Sequence, residues 1–267
     1  MSALDGPEDD KPMPLLDHLI ELRKWLIYAL LGFLLVFVGC FYFAKPIFTF
    51  LIQPATSDGY KVVVLDIFEF FFVTVKMSAF LSLIVGFPLI ATQIWAFVAP
   101  GLYRNEKAAF RPFLIATPFM FYAGCLVMYY LVMPYVINFM LAMYKPEGIE
   151  ATLRASDYLE RVLQLVFAFG FAFEVPVLLT LLVRVGIVST AGLKSKRRYA
   201  IVIAFVVAAV LTPPDVVSQI ALAVPLIIFY EIAILIGMSI EKKRTRTEAA
   251  EEKAEAERSS DGPSSST

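Results

Sequence analysis

The chain has 267 residues, 59% of them hydrophobic, with a mean hydropathy of +0.74 and a formal net charge of −1. A soluble domain is nearer half apolar, and the charges here collect in the first 24 residues, in short islands and after Ile240, the pattern of a polytopic membrane protein. The near-zero balance gives no sign of a nucleic-acid partner. Two cysteines, Cys40 and Cys125, both inside apolar blocks, exclude a disulfide framework, and a single histidine, His18, leaves no metal set and no metal cofactor.

Residues 1–13 are polar and acidic and are expected to form a flexible arm. In PLLDHLIELRKWL (14–26), Leu15, Leu19, Leu22 and Leu26 recur at helical spacing opposite Asp17, Glu21 and Lys24. This predicts an amphipathic helix lying at the membrane surface before it turns in. A first span covers Trp25–Phe43, with no small-residue cleavage site after it, so it reads as an anchor. A loop over about 44–66 precedes a second span, 67–98, which contains Lys76 and Pro88 and is expected to be tilted or kinked. The loop APGLYRNEKAAFRP (99–112) leads to a third span, Phe113–Met133, and a loop with a polar core at 145–157 follows.

The fourth span, 158–183, contains FGFAFEVPVLL, where Glu174 stands alone among apolar residues. A carboxylate at that depth is expensive, so it is expected to face protein or a water-filled cavity. After a basic loop, 184–198, Tyr199–Leu211 offers only 13 residues before TPPD (212–215). At ~1.5 Å per residue that is roughly 20 Å, short of a ~30 Å core. The returning sixth span starts near Val216. A re-entrant hairpin is the alternative, but the charge pattern favours a full crossing. Of the 23 Lys and Arg, 17 fall in 1–24, 99–112, 184–198 and 241–267, and five on the other side, with Lys76 inside a span. The positive-inside rule then gives six spans with both termini cytoplasmic. The membrane domain is 14–240, and 241–267 is expected to be a charged, largely disordered tail.

No ATP motif is present: Gly186 and Gly192 are followed by Leu193 where a phosphate loop requires Lys. Nothing resembles a Ser/His/Asp set, so the chain is not expected to be an enzyme. Several polar residues carry two readings each. Glu21 and Arg23 either decorate a solvated helix face or form a site. Glu106 either balances Arg104 and Lys107 or binds a ligand beside Leu102 and Tyr103. Asp215 is well placed to N-cap the sixth span. Lys76 is placed to snorkel toward Glu69 or Asp66. For Glu174 the functional reading is the default.

Four motifs, HLIELRKWL (18–26), WAFVAPGLYRNE (95–106), FGFAFEVPV (169–177) and LTPPDVVSQ (211–219), stand in that order among the six spans. Together they resemble the TatC family, the receptor subunit of the twin-arginine protein translocase, over about residues 14–240. The resemblance implies an all-α, concave, glove-shaped bundle of six transmembrane helices, the last two short, in the inner membrane. It implies binding of twin-arginine signal peptides through Glu21 and Glu106, with Leu102 and Tyr103 beside them. It implies an intramembrane polar groove marked by Glu174, and docking of single-span TatA- and TatB-type helices at Thr212 and Gln219, with Asp215 in the same turn. It further implies self-association, no cofactor, and transport of folded proteins driven by the proton-motive force. The chemistry agrees, because a guanidinium pairs bidentately with a carboxylate and two nearby carboxylates suit two adjacent arginines. A rival reading from another class is an ion-coupled secondary transporter with Glu174 and Lys76 as its coupling pair.

Overall fold

The computed structural model describes residues 15–57, 60–98, 107–144, 152–212 and 215–260. The expected surface helix does not turn before the first span: its amphipathic start and the apolar continuation form one unbroken helix, α1 (Leu15–Tyr42). The loop expected after it is largely helical instead: α2 (Ala44–Ser57) turns 76° from the apolar part of α1. Pro54 lies inside α2 and has no N–H to give the Phe50 carbonyl four residues earlier. The Tyr129 hydroxyl donates to that carbonyl, and the Tyr158 hydroxyl donates to Leu51 O at 3.2 Å. Both tyrosines come from other helices, which is why a Pro-containing segment stays helical and is pinned over the bundle.

The kink expected in the second span is a break. α3 (Ile67–Val85) ends at Gly86, and α4 (Phe87–Val98) begins directly after it. A Cβ at Gly86 would stand 2.7 Å from the Ser82 carbonyl oxygen, so the break sits at glycine. Pro88 falls in the first turn of α4, where a missing N–H costs nothing. The third span is longer than expected. α5 (Lys107–Val127) passes through a π-helical turn, Met128–Val132, into α6 (Met133–Tyr144).

The two loops at this end of the bundle meet as strands too short for alternation to reveal. β1 (Lys61–Val63) and β2 (Thr152–Arg154) pair in parallel, Val62 opposite Leu153. Together with α2 they make a cap over one end of the molecule.

α7 (Ala155–Val185) is the central helix, packed against α5, α10 and α3. It crosses α5 where Gly124 faces Phe169 and Gly170, the close approach that small residues permit in apolar surroundings. It ends at Gly186, the one described residue with positive φ, at 82°, with the Gly186 and Ile187 amides donating back to Val183 O and Leu182 O. A short helix, α8 (Thr190–Ser195), leads to α9 (Arg197–Leu211), a 15-residue helix, in keeping with the short fifth crossing that the sequence predicts.

α10 (Val216–Ser260) corrects two expectations. The sixth span is not short: Val216–Thr247 is one 32-residue stretch long and apolar enough to cross a membrane. The helix does not stop with the apolar run at Ile240 but continues for another five turns into a segment expected to be mostly without regular structure. Its TEAAEEKAEAER stretch is built of strong helix formers, with Lys253 four residues from Glu257 and Arg258 three from Glu255, so propensity carries the helix on. Among the described residues, four helices are long and apolar enough to cross a membrane (Ile67–Val85, Pro112–Phe139, Ala155–Val185 and Val216–Thr247), and the bent α1–α2 pair makes a fifth.

Candidate functional site

α7 is buried on most of its circumference, and the positions left open form one stripe. Glu160, Gln164, Phe167, Phe171, Glu174 and Leu178 follow one another at steps of three or four residues, and each is exposed or half-buried. Helical geometry puts such positions on a single face. Three of the six are polar although the helix is long and apolar enough to be a span. The stripe therefore combines polar groups at both ends with aromatic rings between them. Phe80 of α3 meets Phe167 edge-on at 6.1 Å, and Phe87 of α4 meets Phe171 at 6.0 Å.

Glu174 is half-buried on this stripe, at the seam with α5. Thr117 and the backbone of Phe121 are the polar groups nearest its carboxylate. Yet the buried Oε1 accepts no hydrogen bond among the described residues, and the buried Thr117 hydroxyl makes none. A buried acceptor without a donor is costly, so this oxygen is poised to accept from water or from a group brought by another molecule.

Toward the capped end the stripe becomes charged. Lys76 of α3 pairs with Glu160 at 3.0 Å, both side chains more than half exposed. This corrects both earlier readings of Lys76: it snorkels to neither Glu69 nor Asp66, and it is not partnered with Glu174. Glu69 is already taken. It is buried, and it accepts from Leu65 N at 3.0 Å, Arg154 Nε at 2.9 Å and Ser156 N at 3.3 Å. One carboxylate thus ties the start of α3 to the β2–α7 junction, and its hydrogen bond and then its charge raise the Arg154 guanidinium above its already high range. Asp66 caps α3 by accepting from Phe68 N at 3.2 Å.

The turn between α9 and α10 is equally well tied. Gln164 donates to the Leu211 carbonyl at 3.0 Å, satisfying one of the last-turn oxygens of α9, which have no partner within the helix. Asp215 accepts from Ser218 N at 2.7 Å, so it does cap α10. Thr212 is buried, its hydroxyl donating to Ala208 O at 2.9 Å. Gln219 is half-buried and reaches Phe205 O at 3.3 Å. At the opposite end Arg197 pairs with Glu231 at 2.7 Å, Tyr230 donates to Leu193 O at 2.8 Å, and Glu241 accepts from Thr190 N at 2.9 Å. These contacts strap the α8 loop onto α10 and give Glu231, a lone acid in an apolar helix, a partner.

The structure brings Lys76, Gln164 and Glu174 onto or beside one face of α7, and Thr212, Asp215 and Gln219 into one turn. Arg23 is exposed on α1. Glu21 lies on α1 with its side chain outside the described ones, and Leu102, Tyr103 and Glu106 lie outside the described residues. Sequence reasoning missed Glu160 and Gln164. Their spacing from Glu174 was a usable signal, but near the end of an apolar run polar residues draw little notice.

These features define a polytopic α-helical membrane protein with a central helix that shows a polar stripe. Residues 17–225 match the family model "TatC: Sec-independent protein translocase protein (TatC)". The Magnetococcus marinus protein named Sec-independent protein translocase protein TatC is 43% identical over 246 residues, covering 91% of this chain and 90% of that one. The Escherichia coli K12 protein of the same name is 38% identical over 239 residues, covering 88% and 92%. A crystal structure described as the twin arginine translocase receptor TatC superposes with a TM-score of 0.73 at 37% identity, covering 84% of this chain and 99% of the other. A second, in the detergent DDM, gives 0.75 at 38%. The chain belongs to the TatC family.

Proposed function

We propose that the chain is the receptor subunit of a twin-arginine protein translocase, working in an inner membrane with both termini cytoplasmic. The family match over nearly the whole chain carries this reading, and the polar stripe on α7 gives it a physical footing. Glu21 and Glu106, with Leu102 and Tyr103, form the cytoplasmic site for the paired arginines of a signal peptide, with Arg23 at its edge. Each guanidinium takes one carboxylate in a bidentate pair. Glu174 marks the groove deeper in, where its free oxygen accepts from water, a partner helix or the signal peptide itself.

Single-span TatA- and TatB-type helices dock at the α9–α10 hairpin. Gln219 is the half-exposed contact there, and buried Thr212 and Asp215 hold the turn in shape. α9 is short for a normal bilayer, so the membrane beside it thins, which lowers the cost of moving a folded cargo past that place. The chain itself performs no covalent chemistry. Transport is driven by the proton-motive force, and copies of the chain associate with one another.

The test is direct binding of an Arg-Arg peptide to the purified chain in nanodiscs. Glu106→Gln and Glu21→Ala each weaken binding by roughly ten- to a hundred-fold, the loss of one charge-assisted pair. The deficit shrinks in high salt because salt screens the attraction between guanidinium and carboxylate. Unchanged affinity in both variants would remove the site.

A further inference from the structure

Beside the stripe, between α3 and α7 at the capped end, lies a cavity of about 850 Å³. This falls within the ~300–1,000 Å³ typical of small-ligand sites. Its lining is graded. Asp66, Glu69 and Arg154 stand at the starts of α3 and α7, Phe72 comes next along α3, the Lys76–Glu160 pair follows, and Phe80, Leu163 and Gln164 lie up to one turn beyond the pair. Lys76 is nine residues into α3, roughly 14 Å along the axis, and Glu160 five residues into α7, roughly 8 Å. That range covers the passage from the interfacial region into the hydrocarbon core.

Three carboxylates and two cations line the polar part, so it holds no excess of positive charge for a purely anionic group. Glu69 and Arg154 are engaged with each other. Lys76 and Glu160 keep side-chain exposures of 62% and 59%, so each retains hydrogen-bonding positions for a third party. Asp66 spends one oxygen on its helix cap and keeps the other. A cation and an acid side by side, with an aromatic and an aliphatic wall beyond them, match one kind of molecule: a phosphate and an ammonium joined to an acyl chain.

We propose that this cavity is a specific site for a zwitterionic phospholipid with a primary ammonium headgroup. The phosphate lies against Lys76 and the open edge of Arg154. The ammonium lies against Glu160, and one acyl chain runs down past Phe80. An ammonium donates hydrogen bonds to a carboxylate, whereas a trimethylated one donates none. Ethanolamine-type lipid is therefore preferred over choline-type as well as over glycerol-type. Gln164, also in the lining, connects the site to the end of α9.

The experiment uses the full chain, delipidated in detergent and exchanged against equal amounts of phosphatidylethanolamine, phosphatidylglycerol and phosphatidylcholine. Bound lipid is read by native mass spectrometry. The wild type retains phosphatidylethanolamine about tenfold over the others. Glu160→Gln removes an acid and swings the preference toward phosphatidylglycerol by about tenfold, while Lys76→Met weakens every lipid. Soluble glycerophosphoethanolamine does not displace the bound lipid, because the acyl chain contributes. Equal retention of the three lipids, an unchanged headgroup preference in Glu160→Gln, or displacement by the soluble headgroup would overturn the proposal. Phe72→Trp leaves all the charges in place and gives a second reading. Its fluorescence is quenched more by brominated phosphatidylethanolamine than by the brominated glycerol lipid, and equal quenching counts against the site.

Discussion

The crossing of α5 and α7 can be tested by adding one carbon at a time. A Cβ at Gly124 would stand 2.5 Å from Phe169 O and 2.9 Å from Phe169 C, both backbone atoms of the facing helix. A Cβ at Gly170 would stand 2.6 Å from the Phe121 ring, which is fully buried and stacked on Phe87 at 3.7 Å. Neither neighbour can swing aside. Gly39 in α1 has nothing within 4 Å of the same atom. Replacing an interior helical glycine by alanine gains about 1 kcal/mol of propensity everywhere. Overpacking a tight contact costs about 1–3 kcal/mol, and the upper end applies where backbone must move. Gly39→Ala is therefore neutral to stabilising, Gly170→Ala mildly destabilising, and Gly124→Ala the worst, about 2–3 kcal/mol below Gly39→Ala. At about 2–4 °C per kcal/mol for a chain of this size, the two melting temperatures differ by about 5–10 °C. The assay is thermal unfolding in one detergent, followed by loss of helix signal. Equal melting temperatures for Gly124→Ala and Gly39→Ala would show that the helices do not approach as closely as argued.

Other substitutions separate the remaining contacts. Glu174→Gln keeps a hydrogen-bonding oxygen without the charge and is expected to retain transport, whereas Glu174→Ala is expected to stay folded and lose it; normal transport by the Ala variant in a vesicle assay would leave Glu174 as a tolerated polar residue only. The Arg197–Glu231 pair is about half exposed, so a double-mutant cycle should give no more than about 1 kcal/mol, falling in high salt; a salt-independent value of several kcal/mol would mean it is far better shielded than it looks. Inserting four leucines into α9 lengthens it by about 6 Å. Partner capture at the hairpin is then expected to fall while signal-peptide binding persists, and unaltered capture would remove the role given to the short helix.

The long apolar runs made the membrane elements legible, and Glu174 was legible because nothing polar surrounds it in sequence. The shortness of α9 followed from a fixed rise per residue and two prolines. What escaped depends on partners far along the chain. α2 stays helical through Pro54 because Tyr129, 79 residues away from Phe50, supplies the missing donor. Lys76 finds Glu160 at a separation of 84 residues, and Glu69 finds Arg154 at 85. The β1–β2 ladder rests on three residues a side, too few for a period-two pattern to stand out. The helical tail was missed for the opposite reason: charge was read as a sign of disorder where Ala, Glu and Lys favour helix on their own.

The stripe on α7 also explains why a helix through a bilayer can hold three polar residues on one face. Each is placed where its cost is already met or where a ligand can meet it. Glu160 sits near the capped end against the Lys76 ammonium, and Gln164 spends its amide on a carbonyl left open at the end of α9. Only Glu174 keeps a buried oxygen without a partner, and it lies 10 residues, roughly 15 Å, further along the helix, beyond the aromatic rings. A chain selected for stability alone would fill that position with leucine, since replacing a poorly satisfied buried acid by an apolar residue is neutral or stabilising. Its presence at the one unsatisfied point of an otherwise satisfied face is therefore an argument for a donor that arrives from outside the chain.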